Sequence, residues 1–297
     1  MSVKNNVNFK FEYNSVISIN NEDIKNLPFQ EQKKVFKEEI SDFSKYMSAS
    51  SSKIGEKGLE IIIDYLRNKP DPSLPQEEWI TICVSKDFKS KLQEIVFSDV
   101  EEGFSHAFIV INKSQHKTPV FLKKKNNQWS IIITDSLGNQ FSYTTLQTAI
   151  KRVETSSKNT VKFEMSSIYV CTYSRLIKGS GCSIFSIRDL VYFYRNGDQF
   201  LDELSRNSYL PARGEVVFFS YTELPPELMK TTQVMPEDPY PFLQSKIHTK
   251  KTASGKEFFL ENRQRHGGSD LESYNTLIDD RALKYQKIIA EHLFERR

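Results

Sequence analysis

Three runs in the middle of the chain, "EEWITICVS", "SHAFIVINK" and "WSIIITDSLGN", set the strongest limit on its fold. Each is rich in β-branched and aromatic residues and reads as a strand, the last ending in a turn signal. "TVKFEMSSIYV" alternates Val161, Phe163 and Met165 against polar neighbours, as a strand with one wet face does, and "EVVFFSY" adds another. Helical patterns lie around them. In "NEDIKNLPFQEQKKVFKEEISDFSKYMS" the residues Phe29, Val35, Phe36, Ile40 and Phe43 form an apolar stripe. After the loop "SASSSK", "GEKGLEIIIDYLRNK" reads as a second amphipathic helix, stopped by the prolines of "PDPSLP". "DDRALKYQKIIAEHLFERR" reads as a closing helix. Strands within and helices outside predict an α+β architecture.

The 297 residues suffice for one large domain or two smaller ones, and 21 Phe with 13 Tyr argue for a folded chain. Lys and Arg total 41 against 38 Asp and Glu, and a net charge of +3 points to no nucleic acid or other particular partner. Only local basic clusters bear on anions. The N-terminal "MSVKNNVNFKFEYNSVISIN" has no continuous apolar core of a secretory signal. No apolar run approaches the roughly 20 residues that cross a bilayer, so a soluble chain is expected. Cys83, Cys171 and Cys182 are too few and scattered for a disulfide framework or a zinc site, and reduced thiols are expected.

Cys182 stands apart in "RLIKGSGCSIFSIRDLVYF". Gly179, Ser180 and Gly181 permit a tight turn that brings backbone donors near the sulfur. Ile184, Phe185, Ile187, Leu190 and Val191 would anchor a helix over about residues 182–195, ended by "RNGD". A thiol at a helix N-terminus loses its proton more readily, and the same N–H groups can meet an oxyanion. The competing reading is a small buried hydrophobe, and for Cys83 and Cys171, in strand-like surroundings, that reading wins.

A nucleophilic cysteine needs a base and an orienting acid. Of five histidines, His106 opens an apolar strand and shares a face with Phe108 and Val110, which gives it rigid footing. His116 lies among lysines in what reads as a polar loop, His248 and His266 in basic tracts, and His292 on the terminal helix. Asp135 follows an apolar run at a strand end. His106, Asp135 and Cys182 together form the expected constellation.

In that order these residues resemble the clan of SUMO- and ubiquitin-like-specific cysteine proteases, and one branch in particular, the YopJ family of bacterial acetyltransferase effectors. "HAFIVINK" resembles the family's His strand, "GCSIFSIRDLVYF" its nucleophile segment, and "LPPELMKTTQ" a downstream motif. "EEISDFSKYMS…GLEIIIDYLRNKPD" resembles its helical lead-in, so the likeness covers roughly residues 35–290. It implies a cysteine-protease-like core with a central mixed sheet flanked by helices, and a helical and loop regulatory region drawn from the terminal segments. Residues 1–22 would be a polar segment and a candidate for disorder. Residues 23–222 would be the catalytic core and 223–297 a regulatory region packed on it.

The resemblance further implies acetyl transfer from acetyl-CoA through a Cys182 thioester to Ser, Thr or Lys of a host signalling protein. His106 would be the base and Asp135 its orienting group. It implies activation by inositol hexakisphosphate, with Lys230, Lys246, Lys250, Lys251, Arg263, Arg265, Lys284 and Lys287 as candidate ligands for the phosphates or for coenzyme A. It also implies delivery into the host cytoplasm by a dedicated secretion system. The chain departs from the family pattern where a Gln six residues before the cysteine is Leu176, the preceding acidic residue is Gly181, the following glycine is Ser183, and the downstream histidine is Thr231. Two alternatives stay open: a ubiquitin-like-specific protease with the same triad, and a degenerate, non-catalytic binding module.

Overall fold

The computed structural model describes residues 21–51, 53–68, 79–138, 140–157, 165–176, 181–207, 215–220, 223–225, 228 and 271–296. Three short helices lead in: α1 (Asn21–Lys25), α2 (Phe29–Glu39) and α3 (Phe43–Tyr46), followed by α4 (Glu56–Asn68). Then come β1 (Ile80–Val84), α5 (Phe88–Val96), β2 (Ser105–Ile111), β3 (Lys117–Lys125) and β4 (Gln128–Ile133). The chain continues through α6 (Gln140–Ser157), β5 (Met165–Cys171), α7 (Cys182–Asn207), β6 (Glu215–Phe219) and a last helix, here α8 (Leu271–Glu295).

The six strands form one sheet in chain order. β1 and β2 are parallel, as are β4 with β5 and β5 with β6, whereas β3 is antiparallel to both of its neighbours. The sheet is therefore mixed, with one strand running against the other five. Strand alternation splits the core in two. Phe108, Val120, Leu122 and Ile131 face α5 and α6, while Ile109, Phe121, Ile132 and Tyr169 face α7 and the cluster that holds α2, α4 and α8. The expected α+β architecture, a mixed sheet flanked by helices, is what forms. Among the described residues no helix is long and apolar enough to cross a membrane.

β3 is the strand that composition conceals. Its sequence, "KTPVFLKKK", carries four lysines and a proline, yet its first six residues are buried. The lysines are placed by α7. Lys123 and Lys125 share the Phe121 face and meet Asp198 and Asp202, one helical turn apart on α7, at 3.0 and 2.7 Å. Lys124, on the other face, donates to the Val100 carbonyl at 2.7 Å. β3 and β4 are joined by a two-residue turn, Asn126-Asn127, with φ of 53° and 60°. Positive φ at both central positions belongs to the hairpin turn whose twist matches that of the strands, and asparagine tolerates it. Glu102 accepts both turn N–H groups.

α7 runs to Asn207, well past the "RNGD" expected to end it near residue 195. Gly197 is not a cap. A Cβ there would lie 2.7 Å from the Phe121 ring, so the glycine lets the helix approach the sheet. Residues 1–20 and 161–164, read from sequence as a polar segment and the start of a strand, lie outside the described residues.

Gly197→Ala reverses the usual sign of a glycine-to-alanine change in a helix. Intrinsic propensity alone favours alanine by up to about 1 kcal/mol. The clash with Phe121 is expected to leave the variant about 1–3 kcal/mol less stable. Urea unfolding of the two proteins checks this.

Candidate active site

The turn between β2 and β3 is built by Asn112. Its side-chain oxygen accepts the N–H of Ser114 at 2.9 Å, the Ser114 hydroxyl at 2.7 Å and the N–H of His116 at 3.0 Å. Gln115 sits at φ 64° within the same turn. His116 is thereby fixed at the threshold of β3. Because β3 is antiparallel to β4, the residue that opens β3 lies beside those that follow β4. His116 Nε2 meets Asp135 Oδ1 at 2.7 Å.

Asp135 is 3% exposed and held from several sides. The Leu137 N–H reaches Oδ1 at 2.8 Å, and the Thr118 hydroxyl reaches Oδ2 at 3.1 Å. The turn that carries it closes with the Gly138 N–H on the Asp135 carbonyl at 3.0 Å, with Gly138 at φ 60°. The Ser136 carbonyl accepts the N–H groups of Arg175 and Leu176, both at 2.8 Å. The segment leading to Cys182 is so tied to the acid's own turn.

Cys182 is the first residue of α7 and is half-buried. Its sulfur is hydrogen-bonded to the His116 ring and to the backbone N–H of Lys117. With Nε2 engaged by Asp135, Nδ1 is the ring nitrogen left for the sulfur. Burial disfavours the thiolate, but the His116 bond, the Lys117 charge and the Lys117 N–H outweigh it, and the thiol pKa lies below its ordinary value. His116 shows the complement. Burial pulls its pKa down, yet the bonds to Asp135 and Cys182 prevail and carry it up to about 9. Both shifts run in the direction that favours a thiolate beside an imidazolium, the attacking form of a cysteine nucleophile.

The structure brings Asp135 and Cys182 together, but with His116 rather than His106. β2 runs parallel to β4, so His106, near the start of β2, stands at the opposite end of the sheet from Asp135. It pairs with Leu122, itself opposite Ile131, four residues short of the acid. Its Nε2 bonds the Thr81 hydroxyl at 2.9 Å, and its ring lies against Phe104 and Phe108. Burial lowers its pKa to about 4, so it is a neutral core histidine. In the sequence His116 is masked by the lysines around it. The signal that finds it is "KKKNNQW", a hairpin turn that sets "HKTPVFLKKK" against "QWSIIITDS".

Cys83 and Cys171 are buried, and burial pushes both thiols up to about 12. Leu176 is a core residue and presents no side-chain donor. The Ser174 hydroxyl, two residues earlier, donates to the Leu176 carbonyl at 3.2 Å. Of the candidate phosphate ligands, Lys284 and Lys287 are exposed on α8. Lys230, Lys246, Lys250, Lys251, Arg263 and Arg265 lie outside the described residues, as do His248 and His266. Among the described residues no cluster of His, Cys, Asp and Glu has the makings of a metal site.

A sulfur at a helix start, bonded to an imidazole that is bonded in turn to a buried carboxylate, is an arrangement that suits nucleophilic chemistry. The model of the YopJ serine/threonine acetyltransferase family matches residues 34–287, and the chain belongs to that family. It is an acetyltransferase by family. No curated protein sequence matches it. Similar solved structures include a single-residue deletion form of AvrA with IP6 and CoA, at 15% identity and a TM-score of 0.55, covering 91% of this chain and 99% of that one. HopZ1a in complex with IP6 and CoA is similar at 12% identity and a TM-score of 0.53, covering 91% and 95%. HopZ1a with IP6 alone gives 11% and 0.52, covering 91% and 94%. At such identities these likenesses speak for the fold.

The His106 assignment has a measurable consequence. Its folded pKa of about 4 lies below the unfolded value near 6.5, so between those values only the unfolded chain binds the proton. The stability it contributes is complete above pH 6.5 and is lost as pH falls through that window, amounting to about 2 kcal/mol by pH 5. His106→Gln should lack this share of the pH slope, as denaturant unfolding at pH 7 and pH 5 will register.

Proposed function

We propose that the protein transfers an acetyl group from acetyl-CoA to a serine or threonine hydroxyl of a host protein through a Cys182 thioester. The observation that carries this reading is the bonded line Cys182–His116–Asp135 in a chain of the YopJ acetyltransferase family. The Cys182 thiolate attacks the thioester carbonyl of acetyl-CoA. As the tetrahedral intermediate collapses, the coenzyme A sulfur leaves with the proton that His116 held. Neutral His116 then takes the proton of the acceptor hydroxyl as its oxygen attacks the acetyl-cysteine, and the thiolate leaves to restore the ion pair. Asp135 keeps the ring oriented and stabilises its charge throughout. The same thiolate would cleave a peptide, and the family match favours acetyl transfer.

The AvrA and HopZ1a structures hold IP6 and CoA, which supports both as ligands here. A polyanion fits what α7 and α8 present. Arg188 on α7 is pulled down to about 10, first by burial and then by the positive charge of Arg281 on α8. Positive charges that act on one another in this way would be eased by an anion nearby. Lys284 lies one turn along from Arg281, whereas Lys287 lines a cleft of about 600 Å³ shared with Glu291 and Glu295, a poorer place for phosphate. When bound, the polyphosphate would supply negative charge that draws α8 onto α7. Family membership likewise supports action inside a host cell.

The test is labelling of the full chain with radioactive acetyl-CoA in the presence of inositol hexakisphosphate. Cys182→Ala should abolish label, His116→Ala should reduce it by about 100-fold or more, and His106→Gln should leave it within a few-fold. Labelling indifferent to Cys182, or lost with His106 but not with His116, would sink this assignment.

A further inference from the structure

Arg175, Asp189 and Thr134 form a buried polar group that the acetyl-transfer steps above do not use. The Arg175 guanidinium forks onto the Asp189 carboxylate, Nη1 to Oδ1 at 2.9 Å and Nη2 to Oδ2. Thr134, the residue before the acid Asp135, donates its hydroxyl to Asp189 Oδ2 at 2.6 Å. Arg175 Nη2 also faces the Thr134 carbonyl at 3.5 Å, and the guanidinium lies over the Phe185 ring, 5.0 Å from its centre. On the other side of Asp135, the Ser136 carbonyl accepts the backbone N–H of Arg175 at 2.8 Å. Both chain neighbours of the acid are thus tied either to the Asp189 carboxylate or to the arginine that holds it. That carboxylate sits on α7, about two turns past Cys182. The Ser186 hydroxyl on the Lys117 carbonyl, at 3.3 Å, ties α7 to the strand that His116 precedes. Asp189 ties α7 to the strand whose end carries the acid. Hydrocarbon of similar volume often serves stability as well as a buried ion pair does, but it fixes no direction.

We propose that Arg175 and Asp189 are positioning residues of this site, holding the acid's turn against the nucleophile helix so that His116 stays within bonding reach of both Asp135 and Cys182. Neither touches the reacting atoms. His116 bonds Asp135 at 2.7 Å on one side and the Cys182 sulfur on the other. A helix that slides against that turn by about 1 Å loses one of the two bonds, and misplacement on that scale can cost about 100-fold in rate. The assignment rests on the acetyl-transfer reading only in taking Cys182 and His116 as partners.

The experiment is the pH dependence of Cys182 alkylation by iodoacetamide on the full chain, read by mass spectrometry, with urea unfolding of each variant alongside. Asp189→Asn keeps an acceptor for the Thr134 hydroxyl but loses the charge and one side of the fork. It should raise the alkylation midpoint by about one unit and slow the reaction about ten-fold at pH values below both midpoints. Thr134→Val combined with Arg175→Met and Asp189→Leu replaces the whole group by hydrocarbon. This variant should unfold close to the wild-type urea concentration and yet keep the raised midpoint. A pair that served stability alone would give wild-type alkylation once stability is restored, and that result overturns the proposal. Thr134→Val by itself leaves the ion pair in place and removes only the tie from Asp189 to the end of β4. It should slow alkylation about three-fold in the same pH range. A profile superimposable on wild type overturns the proposal as well, even where the larger changes prevent folding. Alkylation needs no acetyl-CoA, so the two readings fail separately. A wild-type chain whose alkylation shifts with these variants but which takes no acetyl label would sink the acetyl-transfer reading and support the positioning role.

Discussion

The whole site depends on β3 being shared between two partners. Paired with β4 through the Asn126-Asn127 turn, it sets His116 beside Asp135. Flanked along its length by α7, it also sets His116 beside Cys182. The lengths agree. From Lys117 to Lys125 the strand spans about 26 Å, and from Cys182 to Asp202 the helix spans about 30 Å. Contacts occur in step along both: Ser186 on Lys117, Gly197 against Phe121, Asp198 on Lys123 and Asp202 on Lys125. A helix laid parallel to a strand brings its N-terminus to the strand's start, where its partial positive charge serves the sulfur. The surface ion pairs contribute little individually, up to about 1 kcal/mol each, but they fix which helical turn meets which strand residue.

That arrangement explains which parts were legible in the sequence. α2, α4, β1, β2, β4, β6 and α8 announced themselves because each puts one apolar stripe or run against the core. Cys182 was legible as a helix opener from its glycine turn and the apolar residues after it. Asp135 was legible as a carboxylate at a strand end. β3 was not, because its lysines read as a solvated loop, and they turn strand-like only once α7 supplies Asp198 and Asp202 from 75 or more residues away. His116 was lost along with the strand it opens. His106 took its place on local grounds that were sound as far as they went: it is rigidly held on a strand. What sequence position alone did not carry was strand direction, which sends His106 to the far end of the sheet.

Glycine punctuation misled for a related reason. Asn196-Gly197 has the composition of a helix stop, yet Phe121 occupies the space a side chain would need. The residue answers to packing between layers and not to the local chain. The α5 and α6 helices, absent from the sequence reading, are short or weakly amphipathic. They cover a sheet face whose residues are apolar enough to need them.

The segments that carry Asp135 and Cys182 are also joined beneath the site, by a buried ion pair. Arg175 forks onto Asp189, with Nη1 on Oδ1 at 2.9 Å and Nη2 on Oδ2. Asp189 also accepts the hydroxyl of Thr134, the neighbour of Asp135, at 2.6 Å. Asp189 lies on α7, two turns beyond Cys182. One carboxylate thus links the end of β4, the segment before α7 and α7 itself. Replacing such a pair by hydrocarbon is often neutral for stability, so its use here is better sought in geometry. From the other side, Gln286 on α8 donates to the carbonyls of Ser51 and Lys53 at 3.1 and 2.9 Å, and Ser183, next to the nucleophile, donates to that of Ile54 at 3.3 Å. A displacement of α8 therefore has a short, hydrogen-bonded route to the residue beside Cys182. On the activation proposed above, a ligand that draws α8 toward α7 would act on Cys182 through that backbone, without needing to touch it.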